Sequence, residues 1–411
     1  MHLIDINDWE LSCFTQSGAQ IYRAPCAASF QGELTLGMEA LARAKTLPQA
    51  FAFKYLSRLN SELLPNALGS FKTQADLCFK QLEALREATD VSAAALLVPP
   101  QMSDQQLALL AGVSSAAGIK PLGFIDHSLA YALAAQVTTP TFVLDLGLHQ
   151  TFHSRVAVNG NELTVTASTE YGFGLISLVD QWVNTLADEF IQSSRFDPLH
   201  SAQTEQQTFD AVMGWIADGT LPAELKLSIE SQGTQRTAAI VPEHLQTRLD
   251  AKLDELHFDS SDPVIISHRL AQVPLLTERL GSRVSGLQVA EEASVVLAAL
   301  SIAAELDPEN LERVRGHTSN RTNQSATTLQ AVVTAPDSAA PERAAAATHL
   351  VQQATAYPIT HPQFSAFLDE DGLLRPGVAI EVDGQPPTKA RLFVGQALTF
   401  QGQQWLAIRV A

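Results

Sequence analysis

Alternation of apolar and polar residues predicts a chain of short strands and amphipathic helices. Residues 3–6 and 142–146 are short apolar strands that each contain an aspartate, and each is followed by a polar turn, a second strand and a glycine turn. Apolar positions at helical spacing predict helices over 73–88 and 175–190. The continuous apolar run at 93–98 ends in two prolines, which is typical of a buried parallel strand.

The order of these elements predicts the fold class. Ser103 is a suitable helix N-cap with Gln106 as its capping-box partner, and Gly118 suits the end of that helix. A second short strand follows near residue 122, and strand–helix–strand order indicates α/β layering with a parallel sheet. We also expect a helix over 51–64, which follows a short helix at 38–46.

The strand–aspartate–turn outline occurs twice, which predicts two related lobes that face each other across a cleft. An acidic residue at the end of a buried strand, before a glycine turn, is a geometry that holds a phosphate or its metal ion. The blander interpretation is an aspartate that accepts hydrogen bonds from its own turn. We expect one lobe at 1–135, a second at 136–306, a linker at 307–355 and a small β-rich unit at 356–411.

Composition narrows the choice of partners. The 411 residues carry a formal net charge of −18, which argues against nucleic acid or an anionic membrane as the main partner. The N-terminus lacks a signal-peptide pattern, and no run reaches the ~18 apolar residues of a membrane span. Three widely spaced cysteines without a C-x-x-C motif fit a reducing compartment, so we expect a cytoplasmic protein.

With these motifs in place, the first 305 residues resemble the ATPase domain of DnaK-type (heat-shock 70-like) chaperones. LIDI at 3–6 and FVLDLG at 142–147 are similar to that family's two phosphate motifs. The stretch at 36–48 is similar to its V-G-x-x-A-K motif, and VPPQM at 98–102 to its V-P-A-x-F motif. The similarity preserves the order of the motifs along nearly the whole region.

The resemblance implies an α/β, two-lobed actin-like ATPase fold of duplicated ribonuclease H-like domains, here with reduced upper-lobe insertions. It further implies that Asp5 and Asp145 position a metal ion or water for ATP hydrolysis. By the same resemblance, ATP or ADP with Mg²⁺ would lie in a cleft bordered by Asn7, Asp8, Gly147, His149, Thr151, Gly172, Gly174, His268 and Arg269.

The sequence differs from the family at the positions that carry the family's catalytic and phosphate-binding residues. Leu41 stands where the family has its catalytic lysine, and His127 where it has a glutamate. Asn7-Asp8-Trp9 replaces Gly-Thr-Thr, and Leu148-His149-Gln150 replaces Gly-Gly-Thr, so the close approach of backbone to phosphate is compromised. On the adenosine side, His268-Arg269 replaces a Gly-Gly pair.

We therefore expect a degenerate nucleotide site in a non-catalytic binding, scaffold or co-chaperone-like protein. Its expected partner is another protein, either a DnaK-type chaperone or a second copy of this chain, and we expect no cofactor. The cleft histidines, including His127 and His153, are expected to bind no metal. Two alternatives stay open: an active ATPase with rearranged groups, and a small-molecule or anion receptor that reuses the cleft with its histidines.

Overall fold

A computed structural model describes residues 1–256, 263–318, 349–352, 355–359, 364, 366, 368–369, 373–375, 381–382, 392, 397–400 and 403–408. The chain divides into two compact units, Met1–Gln324 and Ser325–Ala411. Within the described residues, no helix combines the length and apolar character that crossing a membrane requires. The predicted α/β class is confirmed, because helices alternate with mixed sheets along the chain.

The described part of the chain forms these strands in order: β1 (His2–Ile6), β2 (Glu10–Phe14), β3 (Gln20–Pro25), β4 (Ala28–Phe30), β5 (Leu34–Leu36), β6 (Phe51–Ala52), β7 (Leu63–Leu68), β8 (Phe71–Thr73), β9 (Ala93–Val98), β10 (Lys120–Asp126), β11 (Thr141–Leu146), β12 (Thr151–Asn159), β13 (Glu162–Tyr171), β14 (Lys226–Ser231), β15 (Thr234–Ala239), β16 (Pro263–Ser267), β17 (Gly286–Ala290), β18 (Arg313–Val314), β19 (Gly316–Thr318), β20 (His349–Gln352), β21 (Thr355–Pro358), β22 (Glu381–Val382), β23 (Ala397–Phe400) and β24 (Gln403–Ile408).

The helices of the same described part are α1 (Met38–Leu41), α2 (Gln74–Thr89), α3 (Asp104–Ala116), α4 (His127–Ala134), α5 (Leu175–Ser194), α6 (Ala202–Asp218), α7 (Pro242–Leu253), α8 (His268–Gln272), α9 (Leu276–Gly281) and α10 (Glu292–Ala303). Short 3₁₀ helices lie at Pro48–Ala50 and Pro198–His200. The capping box predicted for Ser103 and Gln106 is present, and Gly118 follows the C-cap with a φ of +84°, which favours glycine.

Two six-stranded sheets dominate the first unit, and five consecutive strands of one correspond to five of the other, while β18 and β19 extend the sheets at opposite ends. The first runs β18-β10-β9-β1-β2-β3 and the second runs β17-β16-β11-β12-β13-β19. In each, the aspartate-bearing strand (β1 or β11) pairs antiparallel with the strand that follows it and parallel with a strand on its other side. The internal repeat seen in the sequence is therefore a repeat of sheet topology.

Strand alternation places the two aspartates on corresponding faces. In β1, Ile4 and Ile6 belong to the core of the first sheet, whereas Leu3 belongs to a core shared by both sheets. In β11, Leu144 belongs to the core of the second sheet and Val143 to the shared core. Because side chains alternate along a strand, Asp5 and Asp145 lie on the faces that meet between the sheets.

The shared core also fixes two helices between the sheets. Leu129 and Tyr131 of α4 and Val295 and Ala299 of α10 are buried in it together with residues of both sheets. The apolar run around 293–304 forms α10, whose buried face packs in this core, whereas Leu297 on its other side is exposed.

Two elements correct the sequence-based predictions. Residues 51–64 are not a helix, since β6 and the start of β7 occupy the ends of this range. Residues 313–318 are not linker, because β18 pairs with β10 of the first sheet and β19 with β13 of the second. Composition could not reveal these short strands, since they are stabilised by ladders to sheet edges distant in sequence.

The second unit contains a five-stranded antiparallel sheet in the order β21-β20-β24-β23-β22. Its buried residues include Leu350, Leu398 and Trp405, with the Phe364 ring edge-on to the Trp405 ring. Strands β22, β23 and β24 lie within residues 356–411, the range in which the sequence predicts a β-rich unit.

Arg313, a residue of β18, anchors this strand to the first sheet. Its guanidinium donates to the carbonyls of Met102 and Pro99 at 2.9 and 3.0 Å, and to the buried Asp126 carboxylate at 2.9 Å. Asp126 also caps helix α4 by accepting from the Ser128 amide. We expect Arg313→Ala to lower the free energy of unfolding by about 2–4 kcal/mol, measured by urea denaturation.

The matched control is Arg315→Ala. Arg315 lies 3.4 Å from the same Asp126 carboxylate, but its side chain is 41% exposed. We expect this variant to lose no more than about 1 kcal/mol. Equal losses in the two variants would contradict a specific role for Arg313.

Candidate functional site

The carboxylates of Asp5 and Asp145 meet between the sheets and are held there by one arginine. Asp5, Asp145 and Arg269 are each at most 3% exposed. The Arg269 guanidinium contacts Asp5 through Nη2 and lies 3.8 Å from Asp145 Oδ1 through Nη1. Helix α8 begins directly after β16, the parallel neighbour of β11, and this position aims Arg269 at both aspartates.

His127 and Tyr131 complete the buried cluster. His127 Nε2 lies 2.7 Å from Asp5 Oδ1, and its Nδ1 lies 3.5 Å from Asp145 Oδ2. The Tyr131 hydroxyl accepts from Arg269 Nη1 at 3.0 Å and donates to Asp145 Oδ1 at 3.4 Å. Sequence analysis missed Tyr131, although its position four residues after His127 on α4 places both on one helix face.

Arg269 offsets part of the negative charge of the two aspartates. Burial by itself would raise the pKa of Asp5, but the charge of Arg269 and the contact with His127 outweigh burial and hold that pKa well below its usual range. Burial would lower the pKa of Arg269, but the charge of Asp5, with smaller contributions from Tyr131 and Asp145, holds it well above its usual range. A buried carboxylate paired in this way stays ionised.

Two backbone amides of the turn after β11 donate hydrogen bonds to a carboxylate. Asp8 Oδ1 accepts from the Leu148 amide at 2.6 Å, and Asp8 Oδ2 accepts from the His149 amide at 3.2 Å. Gly147 allows this approach, because a Cβ on Gly147 would lie 2.4 Å from Asp8 Oδ1. Burial raises the pKa of Asp8 to about 6, since the two amide hydrogen bonds offset only part of the cost of burying the charge.

The neighbours of Asp8 close the first turn onto the second sheet. Asn7 donates from its side-chain amide to the Leu146 carbonyl at 3.4 Å and accepts from the Trp9 amide at 2.8 Å. Trp9 is 9% exposed and packs in the core of the second sheet with Leu148. The first turn therefore fills the space between the turns with its own side chains.

Burial favours the neutral form of two further histidines, His149 and His268. Burial lowers the pKa of His149 to about 4, and the ring lies 3.1 Å from the Phe53 carbonyl and packs beside the Phe53 ring. Burial and the adjacent Arg269 charge hold the pKa of His268 well below its usual range. His268 Nε2 lies 3.4 Å from Glu292 Oε1, so it faces the rim of the cluster.

The other residues proposed for the cleft have structural positions. The Thr151 hydroxyl is buried and donates to the Phe173 carbonyl at 2.9 Å. Gly174 packs directly on the turn after β11, where a Cβ would lie 2.4 Å from the Gln150 nitrogen. A Cβ on Gly172 would meet no atom within 4 Å, and Leu41 packs against the apolar core of the second sheet. No group of three or more metal-ligating side chains occurs within the described ranges.

The arrangement is a closed ion-pair cluster with a second, separate carboxylate bound by a turn. Arg269 contacts Asp5 and lies near Asp145. Asp8 accepts hydrogen bonds from the amides of the turn after β11. The sequence placed all four residues at the cleft, but it could not show that they are partners of each other or of the backbone. In this structure these side chains use their charges and hydrogen bonds in contacts within the protein.

We expect Arg269→Met to lower the free energy of unfolding by about 3–5 kcal/mol, because it leaves two buried carboxylates without their cation. Urea denaturation measures this change. The double variant Asp5→Asn/Arg269→Met should recover part of the loss, since only one unpaired carboxylate then remains.

Lys45→Met is the matched control for a cation at a less buried position, where Lys45 bridges Asp180 and Glu205 at 3.3 Å each. It should cost about 1 kcal/mol or less. A loss that small in Arg269→Met would contradict the compensating role of Arg269.

The lowered pKa of His149 predicts acid sensitivity. The folded state favours the neutral ring, so this stabilisation is complete above pH 6.5 and is lost as pH falls towards about 4. We expect the wild type to lose roughly 3 kcal/mol relative to His149→Gln across that window. Glutamine retains a donor for the Phe53 carbonyl.

Urea denaturation of both proteins at several pH values measures this difference directly. The raised pKa of Asp8 works in the opposite sense, because its stabilisation is present below pH 3.8 and is lost as pH rises through about 6. That contribution is common to both proteins and cancels. Parallel pH curves would contradict the assignment to His149.

The chain matches no known protein-family profile, and no curated protein matches it.

Proposed function

We propose that residues 1–306 have the two-lobed actin-like ATPase fold and that the protein is a catalytically inactive, heat-shock 70-like member of it. The support is the matched strand order of the two large sheets and the corresponding positions of Asp5 on β1 and Asp145 on β11. Duplicated sheets with an aspartate on each first strand are what the resemblance to chaperone ATPases implies.

The observation that carries the loss of activity is the occupation of the phosphate side by the protein itself. Asp8 accepts from the Leu148 and His149 amides, which are the donors that a phosphate would need in this turn. A phosphate would meet a carboxylate of the same sign there. Removing Asp8 would require breaking two buried hydrogen bonds and shifting Asn7 and Trp9 with it.

The metal side is occupied in the same way. A Mg²⁺ ion between Asp5 and Asp145 would have to displace the Arg269 guanidinium, which already contacts one carboxylate and lies near the other. Arg269 is only 1% exposed, so a displaced guanidinium would have to leave a buried position. The residues present therefore do not fit Mg²⁺-ATP.

A protein with this site is proposed to act through its surfaces, as a scaffold or co-chaperone-like module. The partner proposed is a DnaK-type chaperone or a second copy of this chain. The three cysteines of the described chain are free and buried, which suits the reducing cytoplasm proposed as its location. Sedimentation over a range of concentrations tests self-association, and fluorescence anisotropy with a purified DnaK-type chaperone tests the other partner.

Isothermal titration with Mg²⁺-ATP and Mg²⁺-ADP tests the proposed loss of nucleotide binding. We expect no binding at micromolar concentrations in the full-length protein, because the phosphate and metal positions are filled by Asp8 and Arg269. A purified DnaK-type chaperone serves as the positive control for the titration.

The opposing hypothesis is an active ATPase with rearranged groups, and it predicts a different result. Micromolar binding of nucleotide, with a turnover that falls in Asp145→Asn, would overturn the proposal. Turnover that is unchanged in Asp145→Asn would indicate a contaminating ATPase instead.

A further inference from the structure

A cavity of about 190 Å³ lies beside Asp8, and neither Asp5 nor Arg269 is among the residues that line it. The side chains of Ile6, Leu56, Met102 and Phe152 form its apolar wall. Typical pockets for drug-sized ligands measure about 300–1,000 Å³, so this cavity suits a much smaller molecule. It cannot hold a nucleotide.

The polar wall of the cavity carries negative charge and hydrogen-bond acceptors. Asp8 and Glu170 contribute carboxylates, and none of the residues that line the cavity is a lysine, arginine or histidine. An anion receptor that uses the cleft histidines, one of the alternatives raised from the sequence, therefore does not fit this cavity. The charge of the walls favours a cation.

Asp8 is a buried anion without a cationic partner. It is 6% exposed, and within the described chain the hydrogen bonds to its oxygens come from two backbone amides. A carboxylate accepts about four hydrogen bonds, so each oxygen keeps acceptor capacity. A ligand cation that reached Asp8 would relieve the cost of leaving its charge unpaired.

A second acceptor in the wall lacks a donor. The Gln101 side chain donates from Nε2 to the Thr169 carbonyl at 3.3 Å, while its buried Oε1 has no hydrogen-bond partner among the described residues. Near it, Gln150 donates from its side chain to Glu170. A buried acceptor without a donor is unusual in a folded protein and fits a ligand that supplies N–H groups.

We propose that this cavity binds a small alkylammonium ion, with the ammonium group against Asp8 and Gln101 and the alkyl chain against Met102 and Phe152. The ammonium group supplies the donors and the charge that the polar wall lacks, and the alkyl chain matches the apolar wall. The inference stands apart from the proposed loss of nucleotide binding, since it concerns a different ligand and a different set of contacts.

The test is a ligand-observed NMR titration of the full-length protein with n-butylammonium chloride. Potassium chloride, n-butanol and sodium n-butyrate are the matched controls for charge alone, for the chain alone and for the opposite charge. We expect saturable binding of n-butylammonium, no binding of the three controls at the same concentration, and competition by n-butylguanidinium, which also carries a cationic N–H donor group on an alkyl chain. Equal binding of n-butanol, or displacement by potassium at the same concentration, would overturn the proposal.

Two variants locate the site. Asp8→Asn should weaken n-butylammonium binding about tenfold or more, because it removes a charge-assisted hydrogen bond. Glu170→Gln should weaken it about twofold to fivefold, since Glu170 is exposed and its charge is screened. Glu170→Gln keeps the test valid if Asp8→Asn does not fold.

Glu162→Gln is the matched control, because Glu162 is an exposed carboxylate on the same strand, β13, outside the cavity wall. We expect its affinity to equal that of the wild type. Equal weakening in Glu162→Gln and Glu170→Gln would show that net charge, and not the cavity, attracts the ligand, and would overturn the proposal.

Discussion

The buried pairing of Arg269 with Asp5, with Asp145 close by, is the interaction on which the centre of this protein depends. Two carboxylates placed by equivalent strands would repel each other in a space without water, and each would carry a large desolvation cost. The guanidinium contacts the Asp5 carboxylate and lies near that of Asp145, so its single charge offsets part of the charge of the pair. His127 and Tyr131 add hydrogen-bonding contacts to the same cluster, while Asp145 Oδ2 has no hydrogen-bond partner among the described residues. The two large sheets can therefore meet through charged residues as well as through a shared apolar core.

The same constraint explains the position of the first turn. Asp5 and Asp145 are turned towards Arg269. The amides of Leu148 and His149 need a different acceptor, because buried backbone donors without one are costly. Asp8 supplies that acceptor, and Trp9 and Asn7 fix the turn that carries it. A geometry suited to phosphate is completed by a side chain of the protein. Asp8 itself remains a buried anion without a counter-ion, which is the origin of the proposed alkylammonium site.

Sequence reasoning reached the α/β class, and its prediction of a nucleotide cleft by resemblance stays a prediction. Of the residues expected at that cleft, Asp5, Asp8 and Arg269 are buried in the structure, and His149 is partly buried. Their partners could not be read from the pattern, since Arg269 and Asp5 lie 264 residues apart in the chain. Tyr131 was missed because its one local signal, the four-residue spacing from His127 on α4, shows a shared helix face but does not show a polar contact.

The sequence by itself determined the elements with strong local signals: the aspartate-bearing strands, the capping box of α3 and the long helix α5. These follow from residue periodicity and from side-chain contacts within a few residues. Tertiary structure decided what local signals cannot encode. It made strands of residues 313–318 by pairing them with two distant sheet edges, and it converted a phosphate-like turn into a binding site for Asp8. The physical reason is that buried charges choose partners by distance in space, which only the packing of the two sheets fixes.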